Sequence, residues 1–388
     1  MNAAASLSNK IGVVEDCPVI GDGRGNRLTL DVAAFRSNVL ETRRLVGSPV
    51  RLLQVIKGDG YGLGLERAVA LGISAGVDGF CVGTPDEALR ATAMQPLVPI
   101  LLFTACPPGL LPDLASQGII ISVNSVEAME ALIESGLSAQ IYVELDCGFG
   151  RFGLDAVALD SVLDLYCTQD KIALAGVYTH FGQGDDLMLD SGLAAFDRAI
   201  ERLRQRVPPG FDTMVASTHT LLRRPHLPYN AVDPGRLLYG IVDSPVDQAR
   251  FRPVIAAISS QIIQINRVAN ARSVTIGYGN QVRLPAGGAT GVFPLGWHDG
   301  LSVRGGLGEV IIHGRRAPVI ARTLLHSIVD LSSVPEATIG DEVFLIGKQG
   351  ESCLTLGEAA QAQGVSATEL HFRLAGAIAA KSVRCAPT

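Results

Sequence analysis

The chain has 388 residues, a net charge of −6, and 47% hydrophobic against 18% charged residues. That is enough material for two domains with substantial cores, in the balance expected of a soluble globular protein. No basic run exceeds a few residues, which argues against a nucleic-acid surface; the apolar runs are short and interrupted, which argues against a membrane span.

Residues 1–26 read as an N-terminal extension, without the apolar core of a signal peptide. From 27 to 245, short apolar runs alternate with amphipathic stretches of helical length. Strands are predicted at 51–57, 79–84, 99–103, 119–123, 140–146, 172–181, 213–217 and 236–241. Helices are predicted between them, at 65–75, 85–92, 125–135 and 191–206. Continuous apolar strands separated by helices imply a parallel sheet covered on its outside, and eight of them imply an α/β fold closed as a (β/α)8 barrel. From 246 to 388 the texture changes to strands with glycine turns, at 254–268, 273–278, 291–295, 301–303, 310–313 and 342–346. This predicts a mainly antiparallel β domain, with late helical segments at 355–363 and 367–381.

A barrel collects its chemistry just past the C-terminal strand ends. Five polar, glycine-containing clusters lie there: Lys57 to Tyr61, Asp146 to Arg151, His180 to Asp186, Ser217 to Thr220, and Asp233 to Arg236. Lys57 follows the apolar run RLLQVI. A buried ammonium is costly unless it is paired or loses its charge; a side chain reaching solvent is the plainer alternative. In DCGFGRFG, Arg151 stands between glycines, suited to a carboxylate or phenolic oxygen, or to an ordinary solvated turn. Glu144 lies inside a strand that reads as buried and needs a partner, for which Arg151 is the natural choice. His180 ends the strand YTH, where a lone histidine is more often structural than catalytic. Seven scattered cysteines, Cys17, Cys81, Cys106, Cys147, Cys167, Cys353 and Cys385, show no metal-ligand spacing. They suggest reduced core thiols, a cytoplasmic setting and no metal.

The order of these motifs resembles the alanine racemase family over nearly the whole chain. KGDGYG resembles that family's cofactor-lysine motif, and DCGFGRFG its aspartate-x-glycine-x-x-arginine-x-glycine motif. IGYG, in the later domain, resembles the stretch carrying its second base. The resemblance implies a pyridoxal 5'-phosphate-dependent amino-acid racemase, with Lys57 as the Schiff-base lysine and Tyr278 as the base on the opposite face. It implies a homodimer in which the tyrosine comes from the partner subunit. Tyr61, Thr218, Gly235 and Arg236 would bind the cofactor phosphate, His180 would sit over its ring, and Arg151 would meet the substrate carboxylate. Glu144 would supply a negative charge that some members acquire by carbamylating a lysine, and Asp185 would line the substrate path.

Several positions depart from the family. Asp233 stands where an arginine usually meets the pyridine nitrogen, and a carboxylate there favours a protonated ring. Phe372 replaces a phosphate-binding tyrosine, and Trp297 is the aromatic of the glycine-x-x-aspartate-glycine run. Leu324 and Leu325 align with a methionine–aspartate pair beside the substrate carboxylate, so the substrate is alanine or a larger, less polar amino acid. Asp233 also admits a decarboxylase or lyase on the same scaffold. A non-catalytic cofactor-binding protein is a third reading, against which the paired bases argue.

Overall fold

The computed structural model describes residues 23–384, other than 48, 95, 96, 183, 216, 304 and 380. Most of the predicted N-terminal extension, with Cys17, and also Cys385, lie outside these residues. The chain divides into two compact units. One comprises 36–60 and 64–238; the other takes the described residues up to Phe35, then Tyr61–Leu63, and the chain from Tyr239 onward.

Strand β1 (Arg27–Asp31) belongs to the second unit, although the chain from residue 27 was expected to open the barrel domain. Its burial alternates, with Leu28 and Leu30 inside, the pattern of a half-buried antiparallel strand. Helix α1 (Val32–Val46) leads to the barrel. The barrel strands are β2 (Arg51–Val55), β3 (Gly79–Val82), β4 (Ile100–Leu102), β5 (Ile120–Val123), β6 (Ala139–Leu145), β7 (Ile172–Thr179), β8 (Asp212–Met214) and β9 (Ala231–Val232). All run parallel, and β9 closes on β2 with Arg51 opposite Ala231. Every residue of β3, β4 and β5 is buried, which is why these strands read as unbroken apolar runs.

The eighth strand is not where the sequence suggested. It is Ala231–Val232, and residues 236–240 form turns in which Leu237, Leu238 and Tyr239 are buried. Pro234 has no N–H for a ladder, and the Leu238 N–H bonds back to the Gly235 carbonyl at 3.3 Å. The apolar run reflects packing of a turn.

Between the strands lie α2 (Leu65–Ala75), α3 (Pro85–Ala93), α4 (Leu111–Ser116), α5 (Val126–Ser135), α6 (Ala156–Tyr166), α7 (Asp186–Arg206) and α8 (Thr218–Arg223). Helix α6, capped by Asp155, was not anticipated. Helix α7 begins five residues before its predicted start because Asp185 caps it, accepting the Met188 N–H at 2.8 Å. Toward the N-terminal strand ends, Arg51 and the Tyr142 hydroxyl converge on Asp212. A Cβ at Gly176 would lie 2.3 Å from the Tyr142 ring, so this level of the barrel is filled.

In the second unit, α9 (Pro245–Arg250) precedes β10 (Ile255–Gln261), β11 (Gln264–Arg267), β12 (Arg272–Ile276), β13 (Asn280–Leu284) and β14 (Ala289–Phe293). They are followed by β15 (Glu309–Ile312), β16 (Arg315–Arg322), β17 (Ser327–Asp330), β18 (Glu342–Gln349), β19 (Ser352–Leu354), α10 (Leu356–Ala362), α11 (Ala367–Ala377) and β20 (Lys381–Arg384). The sheet order is β11-β14-β17-β16-β15-β18-β10-β1-β20, with β19 on β18 and β12–β13 as a separate hairpin. Pairing is antiparallel except between β1 and β20. The single strand expected over 254–268 is two, and 301–303 is loop. Helix α11 stops at Ala377 because Ile378 turns extended, and the end of the predicted helix becomes β20. No helix among the described residues is long and apolar enough to cross a membrane.

Candidate active site

Lys57 follows β2 at the barrel's C-terminal end and opens an unusual turn. Gly58, Asp59, Gly60 and Tyr61 have φ of 66°, 53°, 64° and 58°, four consecutive residues in the left-handed region. Glycine adopts this freely, whereas Asp59 and Tyr61 each incur a cost of about 1–2 kcal/mol. A buried carboxylate holds the turn. Glu87, in the first turn of α3, accepts the Asp59 N–H with one oxygen and the Gly83 N–H with the other, both at 2.8 Å. Asp59 in turn accepts the Leu65 N–H at 3.0 Å. A Cβ at Gly83 would lie 2.7 Å from the Lys57 Cβ, so only glycine lets the lysine stem pass. Glu87 was missed by sequence reasoning. Its one signal is TPDE, a helix start in which Thr84 caps the Glu87 N–H at 3.1 Å.

Burial lowers the Lys57 pKa; Asp233 opposes the shift and Arg151 adds to it. Asp233 is 8% exposed just past β9, and burial pushes its carboxyl up to about 7 against the pull of Lys57. His180 is lowered to about 4, first by burial and then by Lys57 and Arg151, so its imidazole is neutral at neutral pH. Its ring meets Phe149 edge-on at 4.9 Å.

Glu144 is 3% exposed and raised to about 7 by burial, which Tyr178, Arg151 and Asn124 partly offset. The expected ion pair with Arg151 does not form. The Arg151 guanidinium lies over Phe149 and Phe152, at 4.7 and 5.1 Å, and makes no ion pair among the described residues. Glu144 Oε2 and Asn124 Nδ2 are both buried without a hydrogen-bond partner. The Tyr178 hydroxyl beside them is 2.6 Å from Ser122 Oγ and donates to the Phe103 carbonyl at 3.1 Å. The Arg151 loop is cross-linked to the Asp146 carboxylate. One Asp146 oxygen accepts the N–H groups of Gly148, Phe149 and Gly150 at 3.0–3.1 Å. Burial alone would raise the Asp146 pKa, but these three amides hold it below the usual value.

Past β8, the Thr218 hydroxyl is buried and accepts the Leu237 N–H at 3.0 Å, leaving its proton free to donate. The nearby N–H of buried Gly235 has no partner among the described residues, and half-buried Arg236 follows it. Asp185 is exposed and serves as the cap of α7.

The other candidate residues lie in the second unit. Tyr61 is buried, its ring stacked on Tyr239 at 4.5 Å and tilted against Phe372 at 4.7 Å, and its carbonyl is 3.1 Å from His371 Nε2. Tyr278, past β12, is 75% exposed and stacked on Trp297. Leu324 and Leu325 form the tip of a turn closed by the Thr323 N–H on the His326 carbonyl at 2.7 Å, and are 54% and 38% exposed. Of the five described cysteines, all are free thiols; Cys81 alone is buried, while Cys167 and Cys353 are exposed, so the expectation of core thiols holds for Cys81. No group of three or more potential metal ligands occurs among the described residues.

Residues 30–243 match the alanine racemase N-terminal domain and 255–381 the alanine racemase C-terminal domain. The chain is 29% identical over 358 residues to the alanine racemase of Syntrophobacter fumaroxidans, covering 88% of this chain and 93% of that one. It is 30% identical over 340 residues to the catabolic alanine racemase of Pseudomonas putida, covering 84% and 91%. Among solved structures, the alanine racemase from Streptomyces coelicolor shares the fold with a TM-score of 0.85 at 24% identity, over 95% of this chain and 99% of that chain. With both domains matched in order along most of its length, this chain belongs to the alanine racemase family.

Proposed function

We propose that the chain is a pyridoxal 5'-phosphate-dependent amino-acid racemase in which Lys57 and Tyr278 are the two bases. The observation that carries this reading is the Lys57 amine, whose ammonium is disfavoured by burial at the barrel mouth. A neutral amine is what condensation with an aldehyde requires. The donor set fits the cofactor: the Thr218 hydroxyl and the unpartnered Gly235 N–H for its phosphate, with Arg236 beside them. Asp233, buried and near Lys57, would hold the ring nitrogen, and the neutral His180 would lie over the ring. When bound, the cofactor supplies an electron sink for the pair left behind by the α-proton.

Racemisation needs a proton removed from one face and returned to the other. Lys57 Nζ serves one face and the Tyr278 phenol the other. Arg151, free of any ion pair among the described residues, is available to the substrate carboxylate. Glu144 sets the field around Arg151 through its own ionisation, and Asp185 lies along the substrate path. The relatives are named for alanine; exposed Leu324 and Leu325 favour alanine or a larger apolar amino acid here. The active form is a homodimer with shared sites.

The test supplies purified protein with pyridoxal 5'-phosphate and follows each enantiomer by chiral chromatography. Both enantiomers should reach the same mixture, and borohydride should fix the cofactor's mass on the peptide containing Lys57. Carbon dioxide release in place of the mirror-image product would assign a decarboxylase instead. Mixing Lys57→Ala with the slowed Tyr278→Phe should raise activity above that of either variant alone if the sites are shared; no gain after subunit exchange would reject that arrangement.

A further inference from the structure

We propose that Trp297 is a positioning residue for the Tyr278 phenol, a rigid platform that sets where the second base stands; this rests on the reading of Tyr278 as that base. Tyr278 is 75% exposed, and its hydroxyl has no hydrogen-bond partner among the described residues. That is its exposure in the single chain; before the partner's site covers it, an aromatic side chain so exposed samples several rotamers unless something within the chain confines it. Its confining contact is the indole of Trp297, with ring centroids 5.5 Å apart and planes 24° from parallel.

The platform is built to stay in place. Trp297 and His298 donate their N–H groups to the Thr323 and Leu324 carbonyls at 3.1 and 2.9 Å. Asp299, fully buried, accepts the Gly296 N–H at 2.8 Å and holds Arg24 through two bonds of 3.1 and 2.6 Å. Gly296 approaches so closely that a Cβ there would lie 2.4 Å from the Leu324 carbonyl oxygen. Gly300, at φ +93°, would place a Cβ 2.5 Å from the Arg373 carbonyl carbon. A glycine is therefore required at both ends of a turn whose middle presents the indole.

The tyrosine is tied to the same strand. Gly277 packs against Ala321, where a Cβ would come within 3.1 Å, and Asn280 Nδ2 donates to the Ile320 carbonyl at 3.0 Å. Residues 320–321 thus anchor the hairpin carrying Tyr278, and residues 323–324 anchor the turn carrying Trp297. The end of β16 acts as a common ruler for the two rings.

Trp297 is the chain's only tryptophan, so its emission reports directly on the stacked phenol. The experiment compares holoenzymes of wild type, Trp297→Ala, Trp297→Phe and Tyr278→Phe. It measures exchange of the α-proton with deuterated solvent from each enantiomer, and the tryptophan emission spectrum of wild type and Tyr278→Phe. Trp297→Ala should slow the direction that relies on Tyr278 by about 10²-fold, the scale of a misplaced catalytic group, and leave the other direction far less affected. Trp297→Phe should recover most of that loss. Loss of the phenol hydroxyl in Tyr278→Phe should change the emission of the indole stacked on that ring. Equal slowing of both directions in Trp297→Ala, or none, alongside a lopsided Tyr278→Phe, would overturn the platform and leave the second base intact. Normal exchange in Tyr278→Phe would instead overturn the second base. Identical emission profiles in wild type and Tyr278→Phe would deny the stack on their own.

Discussion

The two proposed bases are prepared in opposite ways. Lys57 sits half-buried on a strained backbone turn, among groups whose ionisation is shifted by burial and by one another. Tyr278 stands exposed, and geometry rather than electrostatics constrains it: glycines, carbonyl anchors and a flat indole. The contrast fits the chemistry. An ammonium must be pushed toward its neutral form before it can act, and desolvation does this. For the phenol, what the structure provides is a defined position.

The comparison can be broken at several points, in descending order of effect. Lys57→Ala should cost about 10⁴-fold or more in both directions, the upper range for loss of an acid–base group, and leave no borohydride-fixed cofactor; a residual rate near wild type would remove Lys57 from the mechanism. Tyr278→Phe should cost about 10²–10³-fold, concentrated in one exchange direction. Equal losses of α-proton exchange from D- and L-substrate would reject the one-face assignment.

Backbone support should matter more around Lys57. Glu87→Ala leaves the Asp59 and Gly83 amides without their acceptor, each worth about 1–3 kcal/mol when buried. Urea unfolding should show the loss, with weakened cofactor retention. Leu325→Ala, at an exposed tip, should leave the unfolding midpoint nearly unchanged. Should Glu87→Ala unfold like wild type, the turn is held by something else.

The smallest effect is one of pH. Glu144 is raised to about 7 in the folded chain, so the folded state holds its proton more tightly than the unfolded one. The stability this provides is fully present below the unfolded value of about 4.3 and is lost as pH rises through 7. Glu144→Gln should therefore gain melting temperature relative to wild type at pH 8, and the gain should shrink toward pH 5; a difference independent of pH would mean that Glu144 does not titrate in this range. His180 and His371, both lowered to about 4 by burial, act in the other sense. Their contribution is present above the ordinary histidine range and is lost as pH falls toward 4.

Much of this was legible from the sequence. Seven of the eight barrel strands lie where unbroken apolar runs placed them, because a strand buried on both faces has no polar side to confuse the pattern. The eighth was displaced because a buried turn and a buried strand carry the same apolar composition, and Leu237 to Tyr239 is such a turn. The Lys57 motif was visible as a lysine between an apolar run and a glycine-rich turn, and Tyr278 through the order of motifs shared with the family. Their supports were not. Glu87 meets Asp59 across 28 positions, and Arg24 meets Asp299 across 275. Arg151 faces two phenylalanines rather than the glutamate that charge alone would have chosen. Local pattern records burial and backbone freedom, since both act on neighbouring residues. Which carboxylate meets which amide, and which ring lies under which phenol, depends on distant segments packing together, and only the tertiary structure decided it.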